Sequence, residues 1–230
     1  MRPTPSCGIF QSGFSCPDFS IAEAEKIGEY NYKEPGYPGP ELIDIKGEKV
    51  EFRILNRENI KTLINWRNDP EVAYWATGGD PKFEFRSEEE ANRDLSWHIE
   101  NSSMLETYQF AIFTHDGKFI GTADYREIDH VKGSCTVGIT IGDKNYWGKG
   151  YGTDALSVLA DYLFNRLNLR RIQLDTWSGN ERAIKSYKKC GFQVEGVLKE
   201  NEFVNGKYFD TIIMGLLKSQ WKGSTTDYHH

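Results

Sequence analysis

Tyr-Trp-Gly-Lys-Gly-Tyr-Gly, at residues 146–152, is the segment that most restricts the fold of this chain, and a helical pattern follows it directly. Its three alternating glycines allow a tight turn and remove the Cβ atoms that would keep a ligand from the backbone. A helix that begins there directs its unpaired N–H groups and the positive end of its dipole at the loop. Such loops bind phosphate or pyrophosphate. A turn that only joins a strand to a helix has the same sequence, so the loop alone leaves both interpretations open.

The composition is that of a folded, mildly acidic protein. Its 230 residues can form one good-sized domain with an appendage, and 38% hydrophobic content can supply a core. The net charge is −6 and no cluster of lysine and arginine stands out, so we expect no nucleic-acid partner. This charge fits a cationic or neutral substrate slightly better. We find no apolar run of membrane-spanning length and no signal-peptide pattern, which predicts a cytoplasmic protein without a membrane partner.

The cysteines do not suggest a metal site. Cys7, Cys16, Cys135 and Cys190 include no Cys-x-x-Cys pair, and no histidine lies at metal-ligand spacing. Cys7 and Cys16 could form a disulfide, but we expect isolated thiols in a reducing compartment.

The chain divides into three parts. Residues 1–47 are rich in Gly, Ser and Pro, with Gly-Tyr-Pro-Gly-Pro at 36–40, and predict an N-terminal extension or linker. Residues 48–220 carry a globular pattern. Residues 221–230 form a C-terminal tail whose last two histidines could belong to a tag.

Alternation and turn signals in the globular part predict about seven strands and about four helices in mixed order. The predicted strands are 50–55, 108–114, 118–125, 134–141, 171–177, 192–203 and 207–216. Asp116-Gly117 and Asn205-Gly206 predict hairpin turns. The predicted helix starts are an Asn56 cap, a Ser87/Glu90 capping box, the end of the glycine loop, and a second capping box at Ser178–Glu181. Asp69-Pro70 should interrupt the first helix, and Gly191 should end the last.

Two segments in this order resemble the GCN5-related N-acetyltransferase (GNAT) superfamily. One is the glycine loop, and the other is Asn180-Glu-Arg-Ala-Ile-Lys-Ser-Tyr-Lys-Lys-Cys-Gly-Phe192. The nearest branch is that of the ribosomal-protein and polyamine N-acetyltransferases, and the resemblance covers residues 48 to about 220. It implies an α+β fold whose central, mostly antiparallel twisted sheet has splayed fourth and fifth strands. It also implies acetyl-CoA as cosubstrate and a homodimer.

The resemblance assigns the acetyl-CoA site to the loop and to the gap between the splayed strands, where the pantetheine arm lies as a pseudo-strand. The residues expected to bind acetyl-CoA are Val137, Ile139, Ile141, Trp147, Gly148, Lys149, Gly150, Tyr151, Gly152, Thr153 and Asn180. An N–H group freed near Gly138 or Ile139 could face the thioester oxygen. Asn180 could equally be a plain helix cap, and Lys149 a solvated lysine.

The sequence departs from the family pattern at two positions. Trp147 occupies the first loop position, where the superfamily often has Gln or Arg. Thr136 stands where relatives often carry Glu, just before Val137-Gly138. We therefore expect no carboxylate base at that position, and we expect water to carry the proton.

The resemblance makes Tyr187 the candidate general acid for the departing thiolate, although the residues alone would make it an aromatic on an apolar helix face. Asp124 and Asp175 are candidate bases, since neutralising an alkylamine at pH 7 costs roughly 4 kcal/mol. Glu84 and Glu88 could line the acceptor site. Cys190 lies at a helix end without a nearby histidine, which predicts direct attack without an acyl-enzyme.

The main hypothesis is an N-acetyltransferase that acts on a primary amine of a small molecule or of a protein N-terminus. The alternatives are a polyamine (spermidine or spermine) or an amino-sugar N-acetyltransferase, and Asp69, Glu71 and Glu84 mildly favour a cationic acceptor. A non-catalytic acyl-CoA-binding module would keep the loop and lose Tyr187. A nucleotide-binding module is disfavoured because no Gly-Lys-Ser/Thr phosphate loop is present.

Overall fold

The alternating segments form one sheet in the computed structural model, which describes residues 45–78, 87, 89, 90, 93 and 108–223. The strands follow the order β1-β2-β3-β4-β5-β6-β8-β7. Their bounds are β1 (Ile45–Lys46), β2 (Val50–Ile54), β3 (Tyr108–Thr114), β4 (Phe119–Asp129), β5 (Ser134–Ile141), β6 (Arg171–Trp177), β7 (Gln193–Val204) and β8 (Lys207–Leu217). All neighbours are antiparallel except β5 and β6. The mostly antiparallel α+β fold is therefore confirmed. The structure adds the short strand β1, which lies within the predicted extension.

Four α-helices accompany the sheet in the described residues. They are α1 (Ile60–Arg67), α2 (Pro70–Thr77), α3 (Tyr151–Asp161) and α4 (Glu181–Lys189). A π-helical turn, Tyr162–Arg166, continues α3. None of these helices is long and apolar enough to cross a membrane.

The first helical region differs from the expectation. Asn56 does not cap an α-helix, because a 3₁₀ turn at Arg57–Asn59 comes before α1. The Asp69-Pro70 pair starts α2 as well as ending α1. The Asp69 carboxylate accepts the N–H groups of Glu71 and Val72 at 3.0 and 3.2 Å, and Pro70 suits a first helical position because it needs no N–H partner there.

The Ser87 cap is present: the Glu90 N–H donates to Ser87 Oγ at 3.2 Å. The remainder of that predicted helix lies outside the described residues, as do Glu84, Glu88, Cys7 and Cys16.

The apolar stripe of α3 packs on the sheet and forms the centre of the core. Leu156, Leu159 and Phe164 are almost completely buried, and each contributes about 1.5–3 kcal/mol through removal from water. Leu167, which follows the π-helical turn, is 36% exposed. The π-helical turn before it changes the rotation per residue and turns Leu167 away from the sheet.

The predicted splay lies at the only parallel junction of the described sheet. β5 and β6 pair with each other only over Ser134–Thr136 and Arg171–Gln173. Beyond these residues both strands continue, but they no longer pair with each other. The gap that opens beyond Thr136 and Gln173 is the position of the candidate site.

Candidate active site

A cleft of about 890 Å³ occupies this gap and extends to the glycine loop, to the first turns of α4 and to the last turn of α2. Most of the predicted site residues line it: Asp124, Val137, Ile139, Ile141, Trp147, Gly148, Gly150, Gly152, Thr153, Asp175, Asn180 and Tyr187. Lys149 and Tyr151 do not line it. The Tyr151 ring instead lies edge-on to Tyr146, with their ring centroids 4.9 Å apart.

The free edge of β5 faces the gap. The Gly142 N–H donates to Ile120 O at 2.9 Å, just beyond the last β4–β5 pair. Bonded and non-bonded pairs alternate along an antiparallel ladder. Counting back along β5, the backbone groups of Val137, Ile139 and Ile141 point away from β4 and into the gap.

One of these backbone groups is already used within the protein. The Trp147 indole Nε1–H donates to Ile141 O at 2.6 Å and holds the loop against the end of β5. The same alternation turns Gly138 toward β4, which leaves Ile139 as the N–H donor beside a thioester oxygen.

The loop presents backbone N–H groups to an anion. Gly148 and Gly150 have φ of 71° and 88°, a left-handed conformation that glycine adopts without strain. Gly150 is the N-cap of α3, and no side chain caps the helix. The N–H groups of the first turn therefore keep their capacity to bind an anion.

Cationic side chains of α4 face the same half of the cleft. Arg182, Lys185 and Lys189 lie three and four residues apart, which places them on one helix face, and all three line the cleft. Ser186 on this face contacts Thr153 of α3, with 2.8 Å between the hydroxyl oxygens. This half of the cleft suits the phosphates of a nucleotide-containing cosubstrate.

Asn180 caps α4, which is one of the two roles predicted for it; the other is a contact with acetyl-CoA. Its Oδ1 accepts the Ala183 N–H at 3.3 Å, and its Nδ2 donates to Trp75 O at 3.0 Å. The Ser178–Glu181 capping box is wrong, because the Ser178 hydroxyl accepts the Asp210 N–H of β8 instead. Asn180 thus joins α2 to α4 at the cleft wall, and the second proton of its amide remains for a ligand.

Tyr187 lies half-buried on α4 and lines the cleft. Burial, with the charges of Asp175, Cys190 and Asp124 as smaller causes, raises the pKa of its phenol to about 12. Asp124, Asp175 and Tyr187, the three predicted catalytic residues, line the same cleft. The phenol is therefore protonated at neutral pH and can donate a proton.

Asp124 lies across from Gly138 in the β4–β5 register, and its Oδ1 accepts from Arg126 Nη1 at 2.8 Å. Burial raises the pKa of its carboxyl, and the charge of Arg126 opposes this shift. A Cβ atom on Gly138 would collide with Asp124 Oδ2. The glycine therefore gives this carboxylate its place at the edge of the gap.

The wall of the cleft formed by α2, β6 and β7 combines rings with carboxylates that could not be singled out from the sequence. Trp75 of α2 stacks on Trp177 of β6, with ring centroids 6.1 Å apart and 23° between the planes. Glu202 of β7 lines the cleft beside them and accepts the Thr211 hydroxyl at 2.5 Å. No local signal could have identified Glu202, since it is one of several acidic residues in an edge strand.

Thr136, where we expected no carboxylate base, has a carboxylate beside it. Its hydroxyl donates to Glu127 Oε2 of β4 at 2.7 Å. Glu127 has φ of 57° at a register shift in the β4–β5 ladder. The bulge thus brings a carboxylate from the neighbouring strand to the start of the gap.

Cys190 is a packed thiol. It is buried, its Sγ lies 3.4 Å from Thr153 O, and burial raises the pKa of the thiol. These surroundings disfavour the thiolate form that a nucleophile requires.

Comparisons with known proteins agree with this architecture. Residues 49–193 match the model of the acetyltransferase (GNAT) domain family. The chain is 32% identical over 173 residues to the spermidine N(1)-acetyltransferase of Escherichia coli K12, covering 75% of this chain and 88% of that protein. It is 30% identical over 178 residues to an uncharacterized N-acetyltransferase, p20, of Bacillus licheniformis, covering 76% and 97%. The crystal structure of Vibrio cholerae spermidine N-acetyltransferase with CoA and spermine has a TM-score of 0.66 at 27% identity, covering 74% of this chain and 96% of that one.

Proposed function

Since this chain belongs to the GNAT acetyltransferase family and transfers the acetyl group of acetyl-CoA to an amine, we propose that its acceptor is a polyamine, an alkylamine with more than one positive charge. Spermidine and spermine are the compounds of this class named for its relatives. A peptide N-terminus or an amino sugar would carry a single ammonium group.

The observation that carries this proposal is the pairing of carboxylates with rings at the acceptor end of the cleft. Asp175 and Glu202 line it together with the stacked indoles of Trp75 and Trp177. Asp175 is exposed on β6, and no hydrogen bond or ion pair with another described residue engages its carboxylate. Carboxylates attract cations through charge. An acceptor with a second ammonium group can use both Asp175 and Glu202, while the indoles, which already stack on each other and against Arg182, form the wall beside these carboxylates.

The proposed reaction is a direct transfer. The neutral amine attacks the thioester carbon, a C–N bond forms, and the C–S bond breaks. Asp124, in place of the water expected from the sequence, takes the proton that the amine must lose, because its raised pKa makes it a stronger base than an ordinary aspartate. The Ile139 N–H stabilises the oxygen that becomes negative. Tyr187 gives its proton to the departing sulfur.

The experiment is to measure CoA release from acetyl-CoA with spermidine, a peptide with a free N-terminus, and glucosamine as separate acceptors. We expect the highest kcat/KM with spermidine. A peptide or amino sugar with a higher kcat/KM would refute the polyamine assignment while leaving the family activity intact.

Glu202 is proposed to bind the second ammonium group of the acceptor, the one distal to the amine that is acetylated. Glu202→Gln should raise KM for spermidine about five-fold or more, which corresponds to loss of an ion pair of about 1 kcal/mol. The same substitution should leave KM for n-butylamine, which has no second charge, within two-fold of wild type. Equal changes for both amines would show that Glu202 does not recognise the distal charge.

We further propose a homodimer formed through β7. Among the described strands it is the last in the sheet order, and Val194, Val197 and Leu198 are 41–47% exposed on it. A sheet edge with apolar side chains favours pairing with a second copy. Light scattering should give a mass of two chains, and Val197→Glu should lower it to one. A single-chain mass for the wild type would refute the dimer.

The cytoplasmic location stays a prediction.

A further inference from the structure

The side chain of Arg182 lies between two indole rings from different parts of the fold. Its guanidinium carbon is 4.3 Å from the Trp147 ring centroid and 5.0 Å from the Trp75 ring centroid. Trp147 belongs to the glycine loop, and Trp75 belongs to α2 at the acceptor end. Cation–ring contacts of this length are attractive, and they gain strength as the cation is desolvated. Burial lowers the pKa of this guanidinium, with Glu71 opposing the shift, which is consistent with partial desolvation.

Both rings are held in place independently of the arginine. Trp147 donates its indole N–H to Ile141 O at 2.6 Å. Trp75 stacks on Trp177, and its carbonyl accepts the Asn180 amide at 3.0 Å. The guanidinium therefore rests between two fixed walls.

The two ring contacts leave the hydrogen-bonding capacity of the guanidinium unused. Within the described part of the chain, no hydrogen bond or ion pair engages the N–H groups of Arg182. Its planar fork suits two oxygens of one phosphate group. Ser186, one helical turn further along the same face of α4, touches Thr153 in the first turn of α3. Arg182 and Ser186 thus lie on the side of α4 that faces the anion-binding loop.

We propose that Arg182 binds the diphosphate of acetyl-CoA with its N–H edge and, through the stack, couples donor binding to the position of Trp75 in the acceptor wall. The coupling to the acceptor wall rests on the proposed function, and the donor-binding role of Arg182 does not. It explains how the loop functions with Trp147 at a position where a cationic or amide side chain is common in the superfamily: the tryptophan positions a cation from another helix.

The test measures dissociation constants for CoA and for pantetheine, which lacks the diphosphate, by titration calorimetry. Arg182→Ala should raise Kd for CoA about 10- to 100-fold, as expected for a lost bidentate contact, and should leave Kd for pantetheine within two-fold. Arg182→Lys should restore less than half of the loss on a logarithmic scale, since a lysine has the charge without the planar fork. Lys188→Ala removes a charge from an exposed position of α4 that does not line the cleft, and it should leave both constants unchanged.

The Trp75→Leu variant tests whether CoA binding needs the contact between Arg182 and the Trp75 ring, or only the charge of Arg182. It should raise Kd for CoA about 3- to 10-fold, because Arg182 loses one wall. Saturating CoA should also tighten spermidine binding about five-fold or more in the wild type, and this coupling should disappear in Arg182→Ala.

Three results would overturn the proposal: an unchanged Kd for CoA in Arg182→Ala, an equal loss for pantetheine, or an unchanged Kd for CoA in Trp75→Leu. None of these depends on the acceptor. Absence of spermidine turnover in the wild type would refute the proposed acceptor and not the role of Arg182.

Discussion

At the scale of single residues, the candidate site depends on how closely two strands bring a glycine and a carboxylate together. Gly138 and Asp124 are register partners, and the absent Cβ makes room for the carboxylate oxygen. Asp124 was a candidate base because the amine must lose a proton, but the sequence could not show that its oxygen lies next to Gly138. Such contacts depend on strand register, which local sequence patterns specify only weakly.

Gly138→Ala should lower kcat at least 10-fold, with a smaller change in KM for acetyl-CoA, because the new methyl group displaces the Asp124 carboxylate. Steady-state kinetics with spermidine measures both values. Gly196→Ala is the matched control, since the nearest atom to its added Cβ would be Ile213 Cδ1 at 3.7 Å, an ordinary contact. An active Gly138→Ala enzyme with wild-type kcat would contradict the assignment of Asp124.

Tyr187→Phe should lower kcat about 10²- to 10⁴-fold, the usual range for loss of a general acid. The pKa of the phenol is raised to about 12, so the proton-donating form persists well above neutral pH. The wild-type kcat should therefore show no falling limb between pH 7 and pH 10. A decline with a midpoint in that interval, absent from Tyr187→Phe, would mean that the phenol titrates at its ordinary pKa and that its burial has less effect than we infer.

At the scale of elements, local signals were sufficient where a turn or an alternation decides the structure alone. The Asn205-Gly206 hairpin has φ of 48° and 79° at its two central residues, as the dipeptide predicts. β5 and β6 have the predicted bounds. The sequence was insufficient at Asp69-Pro70, because the same pair can end one helix and begin another.

Asp69→Ala should lower the free energy of unfolding by about 1 kcal/mol, the usual effect of losing an N-cap. Asp69→Asn should retain most of the stability that the N-cap provides, since an asparagine oxygen also accepts the two N–H groups. Urea denaturation followed by circular dichroism measures the difference. If both variants lose equal stability, the ion pair with Lys144 matters more than the cap.

The pH dependence of that ion pair has a defined sign. The Lys144 ammonium lowers the pKa of Asp69 as the largest cause, so the folded state holds this proton less tightly than the unfolded state. The ionic contribution is present above the ordinary aspartate pKa of about 3.9 and is lost as pH falls through the lower folded value. The stability gap between wild type and Asp69→Asn should therefore close in acid.

At the scale of the whole molecule, one carboxylate joins the first edge of the sheet to the loop helix. Asp154, in the first turn of α3, accepts the N–H groups of Glu48, Lys49 and Val50 at 3.1, 2.8 and 3.0 Å. These partners are more than a hundred residues away in the chain, so no local pattern could have predicted the contact. The β1–β2 turn thereby holds α3, and with it the glycine loop, in a fixed position on the sheet.

Asp154→Asn should lower the free energy of unfolding by about 1.5–3 kcal/mol, since it removes charge-assisted hydrogen bonds and places an amide against N–H donors. It should also weaken CoA binding, because the loop loses its support. Asp129→Asn serves as the control, since that carboxylate accepts the N–H of Lys132 within a local turn. A loss below 0.5 kcal/mol, measured by denaturant titration, would show that the β1–β2 turn does not hold the helix.

The alkylation rates of the two buried thiols would report how often the core opens transiently. Cys135 and Cys190 are 2% and 6% exposed, and burial raises the pKa of both thiols. An alkylating reagent can modify them only in molecules that have transiently opened. Mass spectrometry of peptides containing each cysteine would measure the opening rate separately on β5 and at the end of α4. A bound cosubstrate that stabilises both elements would lower both alkylation rates.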